Sequence, residues 1–139
     1  MPIIPVEAAA AASLAARSKL RWFVPDAYIP PNSTAPELSH ESICVLNRGA
    51  EAASFIITAY FADHDPEQSL PILIAGRRAI HLRTDVSDAI GGLRIERGVP
   101  YGLEVESDAD LQIQYSRLDT TQPAYSLMTA LLASTHALA

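Results

Sequence analysis

The stretch Ser42–Pro66, SICVLNRGAEAASFIITAYFADHDP, decides how the chain folds. Ser42–Leu46 is aliphatic and β-branched, and Asn47-Arg48-Gly49 follows with residues that tolerate positive φ. Ser54–Ala62 then runs through Phe55, Ile56, Ile57, Thr58, Ala59, Tyr60 and Phe61. The two runs read as strands joined by a tight hairpin connection. In the second run the odd positions are all apolar, and Ile56, Thr58 and Tyr60 leave the even face little more polar. A sandwich strand ordinarily hides one face only. The second face therefore calls for a cover, from a terminal segment or a second subunit.

Outward from this stretch, the chain keeps giving short strands with turn signals about every ten residues. Leu20–Val24 is a strand closed by Pro25-Asp26, and Ala27–Pro36 is an irregular loop with three prolines. Leu70–Ala75, with Pro71 near its start, suits a sheet edge. Arg77–Arg83 alternates, placing Arg78, Ile80 and Leu82 on one face and His81 on the other. Thr84–Gly92 reads as a loop or short helical turn, and Leu93-Arg94-Ile95 as a short strand. Tyr101, Leu103 and Val105 face inward in one later strand, and Leu111, Ile113 and Tyr115 in the next. Tyr125–Leu138 fits a helix or a strand equally. The pattern predicts an all-β antiparallel sandwich of about eight strands, with short helical segments at both termini.

At 139 residues the chain is long enough for one domain. We divide it into an alanine-rich helical extension over 1–20, a sandwich domain over 21–133 and a tail over 134–139. Glu7 to Ala16 has its positive residues, Arg17, Lys19 and Arg21, after the apolar run, the reverse of a secretory leader. A formal net charge of −6 argues against a nucleic-acid partner, since phosphate binding wants a basic face. The single cysteine, Cys44, can close no intrachain disulfide, which points to a reducing cytoplasm. In its strand context it reads as a small hydrophobe.

His40-Glu41, His64-Asp65 and His81 are the residues a metal site would use, but none of them pair at helical ligand spacing. No nucleophile elbow and no phosphate-binding glycine loop is present. No cofactor is expected. Arg78 and Arg117 each interrupt an apolar face, so each should be part-buried beside an acid or a ligand oxygen, Asp119 standing two residues after Arg117. His40, Glu41, Arg78, His81, Arg117 and Asp119 are accordingly the candidate ligand- or partner-binding residues, with a structural ion pair as the plainer reading.

The segments WFVPDAYIPP (Trp22–Pro31), SHESICVLN (Ser39–Asn47), ITAYFADHDP (Ile57–Pro66), GRRAIHLR (Gly76–Arg83) and QYSRLD (Gln114–Asp119) resemble, in order and spacing, the sensory rhodopsin transducer family. The resemblance runs from about Trp22 to Ala133. The extension Met1–Leu20 is longer and more alanine-rich than the family's, and the segment Thr84–Gly98 matches it poorly. The resemblance implies a jelly-roll sandwich assembled as a homotetramer, similar in architecture to carbohydrate-binding modules. It implies a non-enzymatic transducer that binds a small ligand, carbohydrate among the candidates, or the cytoplasmic face of a membrane sensor. It supplies no catalytic residues. The alternative is a small metal-dependent enzyme of double-stranded β-helix type using His40, His64 or His81.

Overall fold

The structure, a computed structural model, describes residues 19–34 and 36–136, and of His136 the backbone only. The alanine-rich helix expected over Glu7–Ala16 lies outside the described residues. Ten strands follow in chain order: β1 (Leu20–Ala27), β2 (His40–Asn47), β3 (Ala53–Tyr60), β4 (Glu67–Gln68), β5 (Ile72–Ile74), β6 (Arg78–Arg83), β7 (Tyr101–Ser107), β8 (Gln112–Asp119), β9 (Ser126–Leu131) and β10 (Thr135–His136). They form two antiparallel sheets. One has the order β10-β1-β7-β3-β4, with β5 also on β3, and the other runs β6-β2-β8-β9. The chain crosses between the sheets from β1 to β2, β2 to β3, β5 to β6, β6 to β7, β7 to β8 and β9 to β10. This wrapping makes the β-sandwich.

The core follows from alternation. Trp22 and Val24, Ile43 and Val45, Phe55 and Ile57, Leu103 and Val105, and Ile113 and Tyr115 point between the sheets and are buried. Ile29, Ile90, Leu93 and Leu111 close it at the ends. Removing a side chain as large as Trp22, 1% exposed, costs about 3–5 kcal/mol in such a site.

Several expectations are corrected. β2 and β3 do not form a hairpin, because they lie in different sheets. The link between them is a corner shaped by the Asn47 side chain, whose Oδ1 accepts from Gly49 N at 3.0 Å. Its Nδ2 donates to the Glu51 carbonyl at 2.9 Å. Positive φ plays no part there: among the described residues only Arg77, Gly91, Gly92 and Gly98 adopt it. β1 continues through Pro25 and Asp26 by a register shift against β7 between Val24 and Ala27. Leu93–Ile95 forms no strand, whereas the short helical turn that Thr84–Gly92 allowed is there, a single 3-10 turn over Ser87–Ile90. Tyr125–Leu138, which fits a helix or a strand equally in sequence, takes the strand among its described residues: β9 pairs with β8 from Gln114↔Leu131 to Asp119↔Ser126, β10 then returns to β1, and the short C-terminal helical segment does not form there. An alternating partner strand was available, and pairing with it satisfies the backbone of this segment.

Candidate functional site

Glu41 is the second residue of β2 and shares the inward face with Ile43 and Val45. It is 0% exposed, a carboxylate among apolar side chains. Such a group persists only if its oxygens are bonded. Four donors reach it. Tyr101 at the start of β7 donates its hydroxyl to Oε1, and Tyr115 of β8 donates to Oε2. Arg117 Nε lies 3.2 Å from Oε2, and the Tyr28 backbone N–H donates to the same oxygen at 2.9 Å. Arg117 Nη2 also donates to Tyr115 Oη at 3.1 Å and to the Asp26 carbonyl at 3.3 Å. Burial, then the negative charge of Glu41 and the bond to it, push the Tyr101 hydroxyl well above the ordinary tyrosine range. The cluster therefore joins β1 and β7 of one sheet to β2 and β8 of the other. Among the described residues no buried side-chain polar atom is left without a partner.

The long loops at this end of the sandwich are tied by Arg97. Its guanidinium donates to the Ser39 carbonyl at 2.6 Å, to the Pro30 carbonyl at 3.3 Å and to Asp85 at 2.7 Å. Arg83 takes the other side of Asp85 at 2.9 and 2.7 Å. Burial works to raise the Asp85 pKa, but the Arg83 bonds and the two arginine charges outweigh it and hold the carboxyl below its usual range.

Of the six candidate residues, the fold brings two into contact, Glu41 and Arg117. Asp119 bonds Thr121 instead, at 2.8 Å to the backbone N–H and 2.5 Å to the hydroxyl, which lowers its pKa. The half-buried His40 ring lies 2.9 Å from the Leu38 carbonyl. His81 is exposed on the outer face of the four-stranded sheet, opposite Cys44. Arg78 sits at the opposite end from Glu41, paired with Asn47, and is exposed rather than part-buried. Its guanidinium donates to the neighbouring Arg77 carbonyl at 3.0 Å. β6 is an edge strand, so its inward positions are covered only toward the middle, at Ile80 and Leu82. His40, His64 and His81 are scattered, and among the described residues no three His, Cys, Asp or Glu groups are placed to hold a metal. Burial raises the Cys44 thiol, away from thiolate character.

Recesses border His40, with Leu38 and Leu118, and His81, with Cys44, and a further one lies on the outer face of the six-stranded sheet. A groove of about 440 Å³ runs over Gly102 between Phe23 and Pro25 on one side and Tyr60 and Phe61 on the other. Gly102 makes the floor. Phe23 and Tyr60 are each 43% exposed. Beside the groove, Glu104 points outward yet is only 8% exposed, because other side chains roof it. Tyr60 donates to it at 2.5 Å and Arg21 Nε lies 3.3 Å away. The bond to Glu104 raises the Tyr60 pKa, burial and the Glu104 charge adding to it. Arg21 and Lys19 bridge on to Glu106 at 2.8 and 3.1 Å. Past Phe61, on which His64 stacks with ring centroids 4.1 Å apart, a second recess of about 440 Å³ is lined by Glu67, Gln68, Arg94 and Glu96.

Sequence reasoning missed this groove because cross-strand neighbours build it, and they lie far apart in the chain. The one local signal was Tyr60 on the second face of β3. That face is covered in part by the chain's own Glu104, Glu106 and Arg21 from β7 and β1.

The chain is an antiparallel two-sheet β-sandwich, with the buried Glu41 carboxylate fully engaged and an open aromatic groove on one sheet face. The chain belongs to the Anabaena sensory rhodopsin transducer family, whose pattern it matches over residues 17–133. Two solved structures are similar to it. The crystal structure of Thermotoga maritima 1070 is 36% identical, with a TM-score of 0.71, covering 81% of this chain and 91% of that one. The Anabaena sensory rhodopsin transducer is 32% identical, with a TM-score of 0.60, covering 77% of this chain and 92% of that one. A search of the curated proteins finds no match.

Proposed function

We propose that the protein is a non-enzymatic signal-relay module of the cytoplasm, a homotetramer that receives a small ligand or a sensor partner at the aromatic groove. The observation that carries this reading is the division of the polar groups. The Glu41 cluster spends its bonding capacity on its own strands, so recognition is left to the open face around Phe23, Tyr60 and Gly102. Two exposed aromatic side chains flanking a glycine floor suit a flat apolar ring face. A sugar or a related metabolite offers one, with its hydroxyls free to reach Tyr60 and Arg21. A membrane sensor is the alternative occupant. Cytoplasmic loops of membrane proteins are rich in Lys and Arg, which the net charge of −6 complements.

The test uses Gly102→Trp. A Cβ at Gly102 meets nothing closer than 3.4 Å, so a side chain can start from this position into the groove, and circular dichroism checks that the variant is folded. Thermal melts of wild type and variant are run against a panel of sugars and a Lys/Arg-rich peptide. At least one of these is expected to raise the wild-type Tm and to leave the variant unmoved. If none shifts the wild type at millimolar concentration, or the variant responds equally, the groove is not the receiving surface.

A further inference from the structure

We propose that the groove over Gly102 is a site for a small primary amine, held as its ammonium ion. The inference rests on the groove reading above and narrows its small ligand to one chemical class. The groove is lined by hydrogen-bond acceptors and aromatic faces, and its side chains offer no donor. Among the described residues no Lys, Arg or His borders it. Its two hydroxyls are spent: Tyr60 gives its proton to Glu104 at 2.5 Å, and Tyr101 gives its own to the buried Glu41. Tyr60 Oη therefore meets a ligand as an acceptor. At the floor, the carbonyl oxygens of Val24 and Pro25 stand 3.4 and 3.7 Å from the point where a Cβ on Gly102 would lie. They lie where β1 shifts register against β7, between Val24 and Ala27, and Pro25 brings no N–H of its own.

Asp26 supplies the charge. It borders the groove with its side chain 96% exposed. The cation beside it, Arg117 Nη2 at 4.0 Å, belongs to a guanidinium already held by Glu41 and Tyr115. Arg21, just outside the lining, is taken up by Glu104 and Glu106 at 3.3 and 2.8 Å. The Asp26 carboxylate thus keeps its capacity for a cation from solution. An ammonium carries three N–H donors and no acceptor, the complement of this lining. Phe23 and Tyr60 present half-exposed rings, whose faces attract a cation, and the alkyl stem of an amine covers the apolar floor. A sugar hydroxyl brings an acceptor with every donor, and only its donor half is served by these side chains. The net charge of −6 draws a cation toward the chain and repels an anion.

The full, isotope-labelled chain is titrated with n-butylammonium chloride, n-butanol, glucose and a Lys/Arg-rich peptide at equal ionic strength, and the Gly102 amide is followed by nuclear magnetic resonance. n-Butylammonium is expected to move that resonance saturably at millimolar concentration, and n-butanol, its neutral counterpart, to leave it in place. Asp26→Asn should weaken n-butylammonium about threefold, and Phe23→Leu should weaken it as well. Circular dichroism checks that both variants are folded; should Phe23→Leu fail, the exposed Asp26→Asn decides alone. Equal responses to the amine and the alcohol, or an Asp26→Asn protein that binds as wild type does, overturn the ammonium site. Glucose or the peptide moving Gly102 where the amine does not overturns the small amine and spares the groove. Silence from all four probes overturns the small amine too, and the Gly102→Trp melts then judge the groove.

Discussion

At the residue scale the chemistry concentrates on Glu41. HESICVLN puts it in step with Ile43 and Val45, but a strand begun at Ser42 leaves Glu41 outside the alternation, so its inward place went unread. Its partners were no more legible. Tyr101 and Tyr115 are core positions by alternation, and buried tyrosine hydroxyls need an acceptor, but which acceptor depends on how the sheets stack. Tyr101 carries a pH signature. Its folded pKa lies above the ordinary 10.0, so the stability it contributes is fully present below pH 10 and is lost as pH rises beyond it. Denaturant titrations from pH 8 to 11 should show stability falling above pH 10. Tyr101→Phe, which leaves Glu41 Oε1 without that donor, should cost about 2 kcal/mol at neutral pH and flatten the alkaline fall. An alkaline limb unchanged in the variant would place its cause elsewhere.

At the element scale, periodicity recovered β1, β2, β3, β6, β7 and β8 because each has one face in the core. It failed for β9, where every residue is exposed and burial imposes no pattern of period two. It failed also for the β2–β3 link, because turn residues mark a reversal without saying whether the chain stays in its sheet. That corner depends on a close approach. The turn between β5 and β6 lays Gly76 against Ala50, and Arg77 N donates to the Gly49 carbonyl at 2.9 Å. A Cβ on Gly76 would come within 2.1 Å of the Ala50 carbonyl oxygen, which is backbone and cannot step aside. Gly76→Ala should therefore cost about 3 kcal/mol, at the upper end for overpacking. Gly102→Ala, whose new Cβ makes only ordinary contacts, should stay within about 0.5 kcal/mol of wild type. Equal losses in urea titrations of the two would contradict the corner as drawn.

At the scale of the whole molecule, Glu41, Tyr101, Tyr115 and Arg117 form a brace between the sheets, and the proposed function puts recognition at the groove of the six-stranded sheet. Arg117 separates this account from one in which the cluster is a ligand site. Its side chain is 19% exposed and supplies the cation beside a carboxylate with no access to water. Without it that charge stays buried and uncompensated, a loss of about 3–5 kcal/mol. The direct measurement is urea unfolding of wild type and Arg117→Ala at neutral pH, followed by fluorescence of the core Trp22 and by far-ultraviolet circular dichroism. The account predicts a midpoint lowered by a loss of that size, with both probes still moving together. An Arg117→Ala protein as stable as wild type would mean that the brace does not hold the sheets, and would return the Glu41 cluster to candidacy as a binding site.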